Sequence, residues 1–179
     1  MEKIGLGGGC HWCTEAVFQS LKGVSNVAQG YIASKQYASS FSEGAIIEFD
    51  SAIIPLHILL EIHVLTHKSM SDHSMRPKYR SAIYTFSDAQ RKDAKEILRK
   101  LEKSSSSKII TEVISYHAFK SSREEILNYY YNNPEKPFCK TYIDPKIKIL
   151  QTQFSDQVNN EKISHLLEID EEYKVKHSK

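Results

Sequence analysis

Three cysteines in a chain of 179 residues are too few for a disulfide scaffold, the usual staple of small secreted domains. The opening MEKIGLGGGC also lacks the apolar stretch of a secretory signal, and the two absences together predict a reducing, cytoplasmic setting. No apolar run approaches the roughly 18 residues that span a bilayer. The longest, Ile53 to Leu65, is interrupted by Pro55, two histidines and a glutamate, so no membrane contact is expected. An excess of charge of one sign is missing as well. The 24 basic and 22 acidic residues are interleaved, which argues against a basic face for nucleic acid. What is present is an ordinary globular composition, 40% hydrophobic, enough for one domain with a real core.

Lys3 to Leu6 reads as a buried strand that runs into three glycines, and His11 to Leu21 as a helix with Ala16, Val17 and Leu21 on its core face. Gly23 stops that helix. Strands are expected at Val24–Ile32 and Gly44–Phe49, then a helix from Pro55 to about His67. Lys68 to Lys78 has no apolar period and reads as a loop. A strand at Ser81–Phe86 precedes a helix opened by a Ser87/Gln90 capping box. Lys108–Ser115 reads as a strand, and Ser122 with Glu125 as a second capping box opening the helix REEILNYYYNN. From Asp144 onward, alternating charged and apolar residues suggest helices packed outside the main body, with a frayed end past Glu171. This order suggests an α+β fold, a ferredoxin-like split βαβ two-layer sandwich with additional C-terminal helices. The expected division is a catalytic domain over 1–155 and a charged helical extension over 156–179.

Chemistry concentrates in Gly7-Gly8-Gly9-Cys10-His11-Trp12-Cys13. A cysteine at a helix start is held near free N–H groups and the positive end of the helix dipole, which favours the nucleophilic thiolate. Cys13 lies three residues on, and such positions are about 5–6 Å apart, inside the range a disulfide tolerates. The pair can therefore act as attacking and resolving thiols. The rival reading is a metal-binding module, a zinc half-site completed by His63 and His67 or by His73. Cys139 stands alone between Phe138 and Lys140.

These residues carry a family resemblance. GGGCHWCTEAVFQSLKGV resembles the GCFW-x-x-E signature of the peptide methionine-S-sulfoxide reductases, MsrA. In the same order, Gly30-Tyr31 resembles the family's GYxGG, SEGAIIEFD its HAE-x-V-x-V-x-YD, and KYRSAIY its QYRSAI. The matches cover most of residues 4 to 90, with a weaker continuation through the TEV segment and NPEKPFC.

The resemblance implies a cytoplasmic enzyme that reduces methionine-S-sulfoxide, free or in proteins, with thioredoxin as electron donor and no cofactor of its own. It makes Cys10 the nucleophile and Glu43 the acid that protonates the departing oxygen, in an apolar pocket that would raise its pKa. Tyr31 and Tyr79 would hydrogen-bond that oxygen. Trp12 would pack on the substrate methyl group, with His11 lining the same pocket where the family has phenylalanine. Glu15 would be structural support. Cys13 or Cys139 would condense with the Cys10 sulfenic acid, and proximity favours Cys13. Ser74 stands where the family's oxygen-organising aspartate is expected.

Overall fold

Alternation along the first strand sets the architecture. In the computed structural model, which describes residues 1–35, 38–105 and 107–166, strand β1 (Glu2–Gly7) turns Ile4 and Leu6 toward the helices and Gly5 and Gly7 to the opposite face. It lies between β3 (Ser42–Phe49) and β4 (Ala82–Thr85), antiparallel to both. β2 (Val24–Ala33) pairs antiparallel with β3 on its far side. The central order β4-β1-β3-β2, with α1 (His11–Gln19) and α2 (Leu56–Thr66) as crossovers, is the ferredoxin-like arrangement expected. Two short strands widen the sheet. β5 (Glu112–Ser115) runs parallel to β4 after the crossover helix α3 (Asp88–Ser104), and β6 (Ala118–Ser121), which the sequence reading did not anticipate, pairs with the outer edge of β2.

The principal core lies on the helix-covered face, where Ile4, Leu6, Ala45, Ile47 and Ile83 meet Val17, Phe18, Leu59 and Leu60. Ile32, Ile46, Ala82 and Tyr84 form a smaller cluster on the other face. The Ser87/Gln90 capping box forms as read: the Ser87 hydroxyl accepts the Gln90 N–H at 3.1 Å, and the Gln90 side chain accepts the Phe86 N–H at 3.0 Å.

Two expectations fail. REEILNYYYNN is not one helix. It makes a 3-10 turn at Glu124–Ile126, an extended Leu127, a left-handed Asn128 at φ 50°, and only then the short α4 (Tyr129–Asn132). The reason is tertiary. The buried Glu15 carboxylate accepts the N–H groups of Asn128 at 2.8 Å and Tyr129 at 3.2 Å, and Gln29 donates to the Ile126 carbonyl at 3.1 Å. Backbone groups captured from elsewhere cannot also serve an intrahelical ladder.

The second correction concerns the C-terminal segment, expected to pack outside the main body. After a π-helical turn at Cys139–Ile143, helix α5 (Asp144–Gln153) packs on α1 and α2. Ile143, Ile147 and Leu150 form a fully buried stripe at helical spacing. Beyond residue 155, Val158 bridges Leu21, while Ile163 and Leu166 join the same core. The described part of the expected extension is thus continuous with the main body. The expected fraying past Glu171 lies outside the described residues. Among the described residues, no helix is long and apolar enough to cross a membrane.

Candidate active site

Cys10 is the N-cap of α1, reached from β1 through the Gly8-Gly9 turn. Gly8 has φ +152°, and a Cβ there would lie 2.3 Å from the His67 ring, so only glycine brings the chain past α2 at this point. The Cys10 carbonyl accepts the N–H groups of Cys13 (3.0 Å) and Thr14 (3.2 Å), closing the first turn. Its sulfur faces the Cys13 thiol and the N–H groups of Trp12 and Cys13 within hydrogen-bonding reach. The Cys13 bond is the main cause that holds the Cys10 pKa below its ordinary value, working against burial and the charge of Glu43. Cys13, buried on the core side, has its pKa pushed far up by the same bond and by burial. Of the two, Cys10 is therefore the more readily ionised.

Strand alternation places the acid. Residues 43, 45, 47 and 49 of β3 face the helices, as do 27, 29 and 31 of β2, and Tyr31 lies directly opposite Glu43 in the register. Glu43 is buried, with one oxygen 3.2 Å from the His11 N–H at the start of α1 and the other 3.3 Å from the Lys78 ammonium. The apolar pocket expected around this carboxyl is therefore corrected to a polar one, although Lys78 itself is half exposed. The Lys78 pKa is raised, first by its bond to Tyr79 and then by Glu43.

His11 is buried, a correction to its expected place against substrate. It donates from Nδ1 to the Gly30 carbonyl at 3.2 Å, points Nε2 to within 3.8 Å of Glu43, and meets the Tyr31 ring edge-on at 5.4 Å. The structure thus brings Cys10, His11, Tyr31 and Glu43 together on the sheet side of the helix start. Trp12 is half-buried and stacks on Tyr129 at 4.0 Å and 5°, with Phe138 edge-on at 5.4 Å.

On the opposite side of Cys10 opens a cavity of about 520 Å³. Cys13, Tyr79, Ser74, His73 and Lys146 line it, with His63 and His67 along α2. His67 already uses both ring nitrogens, on the His63 carbonyl and on the Ser81 hydroxyl at 2.8 Å. Burial, the main cause, brings its pKa down to about 4, and neighbouring cations add to the effect. Cys139 is fully buried outside this lining, its thiol directed to the Asn133 carbonyl at 3.6 Å. Burial raises its pKa. Among the described residues no three metal-ligating side chains converge.

Sequence reading missed several neighbours. Tyr129 and Phe138 complete the aromatic wall behind Trp12, and Glu15 holds the strand of backbone that carries Tyr129. Arg76 pins the 68–78 loop to the site by donating to the carbonyls of Gly8 (3.1 Å) and Tyr79 (3.0 Å). Lys146 comes from the C-terminal helix. Only Lys78 carried a local signal, since it replaces the glutamine that precedes the family tyrosine.

An activated cysteine with a second thiol bonded to it, beside a buried carboxyl on a ferredoxin-like α+β scaffold, defines a thiol-chemistry protein. The chain belongs to the peptide methionine sulfoxide reductase family, whose model matches residues 2–158. It is 34% identical over 173 residues to the peptide methionine sulfoxide reductase MsrA of Sulfolobus acidocaldarius, covering 89% of this chain and 98% of that one. To the MsrA of Saccharolobus solfataricus it is also 34% identical, over 172 residues, 88% of this chain and 97% of the relative. Among solved structures, reduced Mxr1 from Saccharomyces cerevisiae superposes with a TM-score of 0.69 at 21% identity, covering 79% of this chain and 90% of that one. Mxr1 in complex with Trx2 superposes at 0.57 and 21% identity, over 69% of this chain and 82% of the other. At that identity the likeness is one of fold.

Proposed function

We propose that the chain reduces methionine-S-sulfoxide, free or within proteins, to methionine, using Cys10 as nucleophile. The observation that carries this reading is the Cys10 sulfur itself, bonded by a neighbouring thiol and capped by helix N–H groups within reach of Glu43. Family membership over nearly the whole length supports the substrate class.

In the first half-reaction the Cys10 thiolate attacks the sulfoxide sulfur. An S–S bond forms while Glu43 supplies a proton to the departing oxygen, and Tyr31 and Tyr79 hydrogen-bond that oxygen from two sides. The protonated oxygen leaves the substrate sulfur as water. A water molecule then attacks the Cys10 sulfur, breaking the S–S bond so that methionine departs, a proton goes to solvent and Cys10 is left as a sulfenic acid. Trp12, backed by Tyr129 and Phe138, presents the apolar surface for the substrate methyl group. His11 contributes by fixing Glu43 and Tyr31, which is a different task from lining the methyl pocket.

In the second half-reaction Cys13 condenses with the Cys10 sulfenic acid, releasing water and forming a disulfide. Cys139 is the alternative resolving thiol, more remote and fully buried. Thioredoxin then reduces the disulfide, a role supported by the yeast relative solved in complex with Trx2. No cofactor enters this sequence, and a reducing cytoplasm is the compartment in which it runs.

The test is reduction of the separate R and S epimers of methionine sulfoxide by the wild-type chain and by Cys10→Ser. Activity on the S epimer alone, lost in the variant, is expected. Absence of activity on both epimers overturns the reading.

A further inference from the structure

We propose that Lys146 is a positioning residue for the recycling half of the reaction, holding a positive charge beside Cys13 so that its sulfur attacks oxidised Cys10 as a thiolate. This rests on the reductase reading and on Cys13 as resolving thiol.

The chemistry creates the need. Cys13 must lose its proton to form the S–S bond, while the Cys10 S–O bond breaks and the oxygen leaves as water. In that step the Cys13 sulfur is oxidised and the Cys10 sulfur reduced. Yet Cys13 is the buried member of the pair, in surroundings that hold its proton on. Once Cys10 is a neutral sulfenic acid, the thiolate no longer competes with Cys13 for charge, and a fixed cation beside it becomes decisive.

Lys146 is that cation. It lines the same cavity as both sulfurs, on the helix whose preceding turn supplies the Tyr142 carbonyl 4.0 Å from the Cys13 sulfur. Its ammonium donates to the Thr66 carbonyl at the end of α2, which fixes its direction. No carboxylate pairs with it among the described residues, and none lines the cavity. The remaining titratable groups around the pair are His63 and His67 from α2, Lys68, His73 and Tyr79 from the loop after it, Tyr142 before α5, Glu43 across Cys10, and Cys139 behind Cys13. Both histidines are held neutral by burial. Burial lowers the Lys146 pKa from its ordinary value, while the charges of Cys13 and Cys10 act to raise it. Of these groups, Lys146 is the cation whose charge lowers the Cys13 pKa.

The experiment is a single turnover of the full chain with one equivalent of methionine-S-sulfoxide, quenched in acid. It reads methionine released and Cys10–Cys13 disulfide formed, as a function of pH. In Lys146→Met the midpoint of disulfide formation is expected to move up by about one pH unit, slowing the step about tenfold at neutral pH. Methionine release should change far less, and Lys146→Arg should restore the wild-type profile. Lys146→Gln, which keeps a donor for Thr66, replaces the methionine variant should that one not fold. An unmoved midpoint in the neutral variant, or an equal shift in Lys146→Arg, overturns the proposal. Wild-type methionine release without a Cys10–Cys13 disulfide removes Cys13 as resolving thiol. No methionine release removes the reductase reading itself.

Discussion

Cys10 divides its surroundings into two unlike halves. On the sheet side, Tyr31 and Glu43 are direct cross-strand partners, and the first N–H of α1 locks onto the carboxyl. That half comes from strand register and one helix start, with Lys78 added from the loop before β4. On the cavity side, Cys13 meets Lys146, His63 and His67, drawn from three helices. In the proposed mechanism the first half places a proton at a fixed point and the second changes the charge on sulfur. The contrast then predicts that reduction and recycling rest on separable structural supports.

The sharpest way to separate the halves is Cys13→Ser. The serine hydroxyl can still donate to the Cys10 sulfur, so one equivalent of methionine per enzyme should form, while thioredoxin-supported turnover falls to background. Full multiple turnover in that variant would transfer the recycling role to Cys139 or to an external thiol. Glu43→Gln strikes the opposite half. Loss of a general acid should lower kcat/KM about 10²–10³-fold. The same change removes a negative charge that opposes the Cys10 thiolate, so alkylation of Cys10 by iodoacetamide should become faster. Slower alkylation alongside slower reduction would mean that the variant disturbs the helix start instead.

The smallest expected effect is on stability. His67 has its folded-state pKa depressed to about 4, chiefly by burial, and that of His63 lies well below its ordinary value for the same reason. Both are neutral in the fold, so as pH falls the unfolded chain takes up protons first. Their stabilising contribution is complete above an ordinary histidine pKa of about 6.5 and is lost progressively as pH falls toward 4. The urea midpoint should therefore drop across that interval, and the drop should be shallower in His67→Gln. An unchanged slope would detach the cavity half from acid sensitivity.

Much of this was legible in the residues. The βαββαβ core was readable because its strands alternate, its helices carry apolar stripes, and the Ser87/Gln90 cap is a local device whose partners lie within one turn. The same device misled at Ser122 and Glu125, where Glu15, more than a hundred residues away in sequence, takes the backbone N–H groups instead. The C-terminal helix misled through its interleaved charged residues, although Ile143, Ile147 and Leu150 recur at core spacing. Within the candidate site, Cys10, Tyr31 and Glu43 were proposed from motif position and the Cys10–Cys13 pair from spacing, and the fold brings them together. Lys146 and the Tyr129–Phe138 wall carried no local mark, because nothing in their own segments states what they face.

By itself the sequence determined the family, the strand and helix periods of the first ninety residues, and a cysteine at a helix start, because each depends on groups only a few residues apart or on strand alternation. Tertiary structure alone decided that Lys78 shares the Glu43 carboxyl, that His11 lies against both Glu43 and Tyr31, and that a C-terminal helix brings Lys146 into the cavity that Cys13 lines. Those outcomes depend on which surfaces pack together, and the charge state of a buried thiol or imidazole follows from what packing sets beside it.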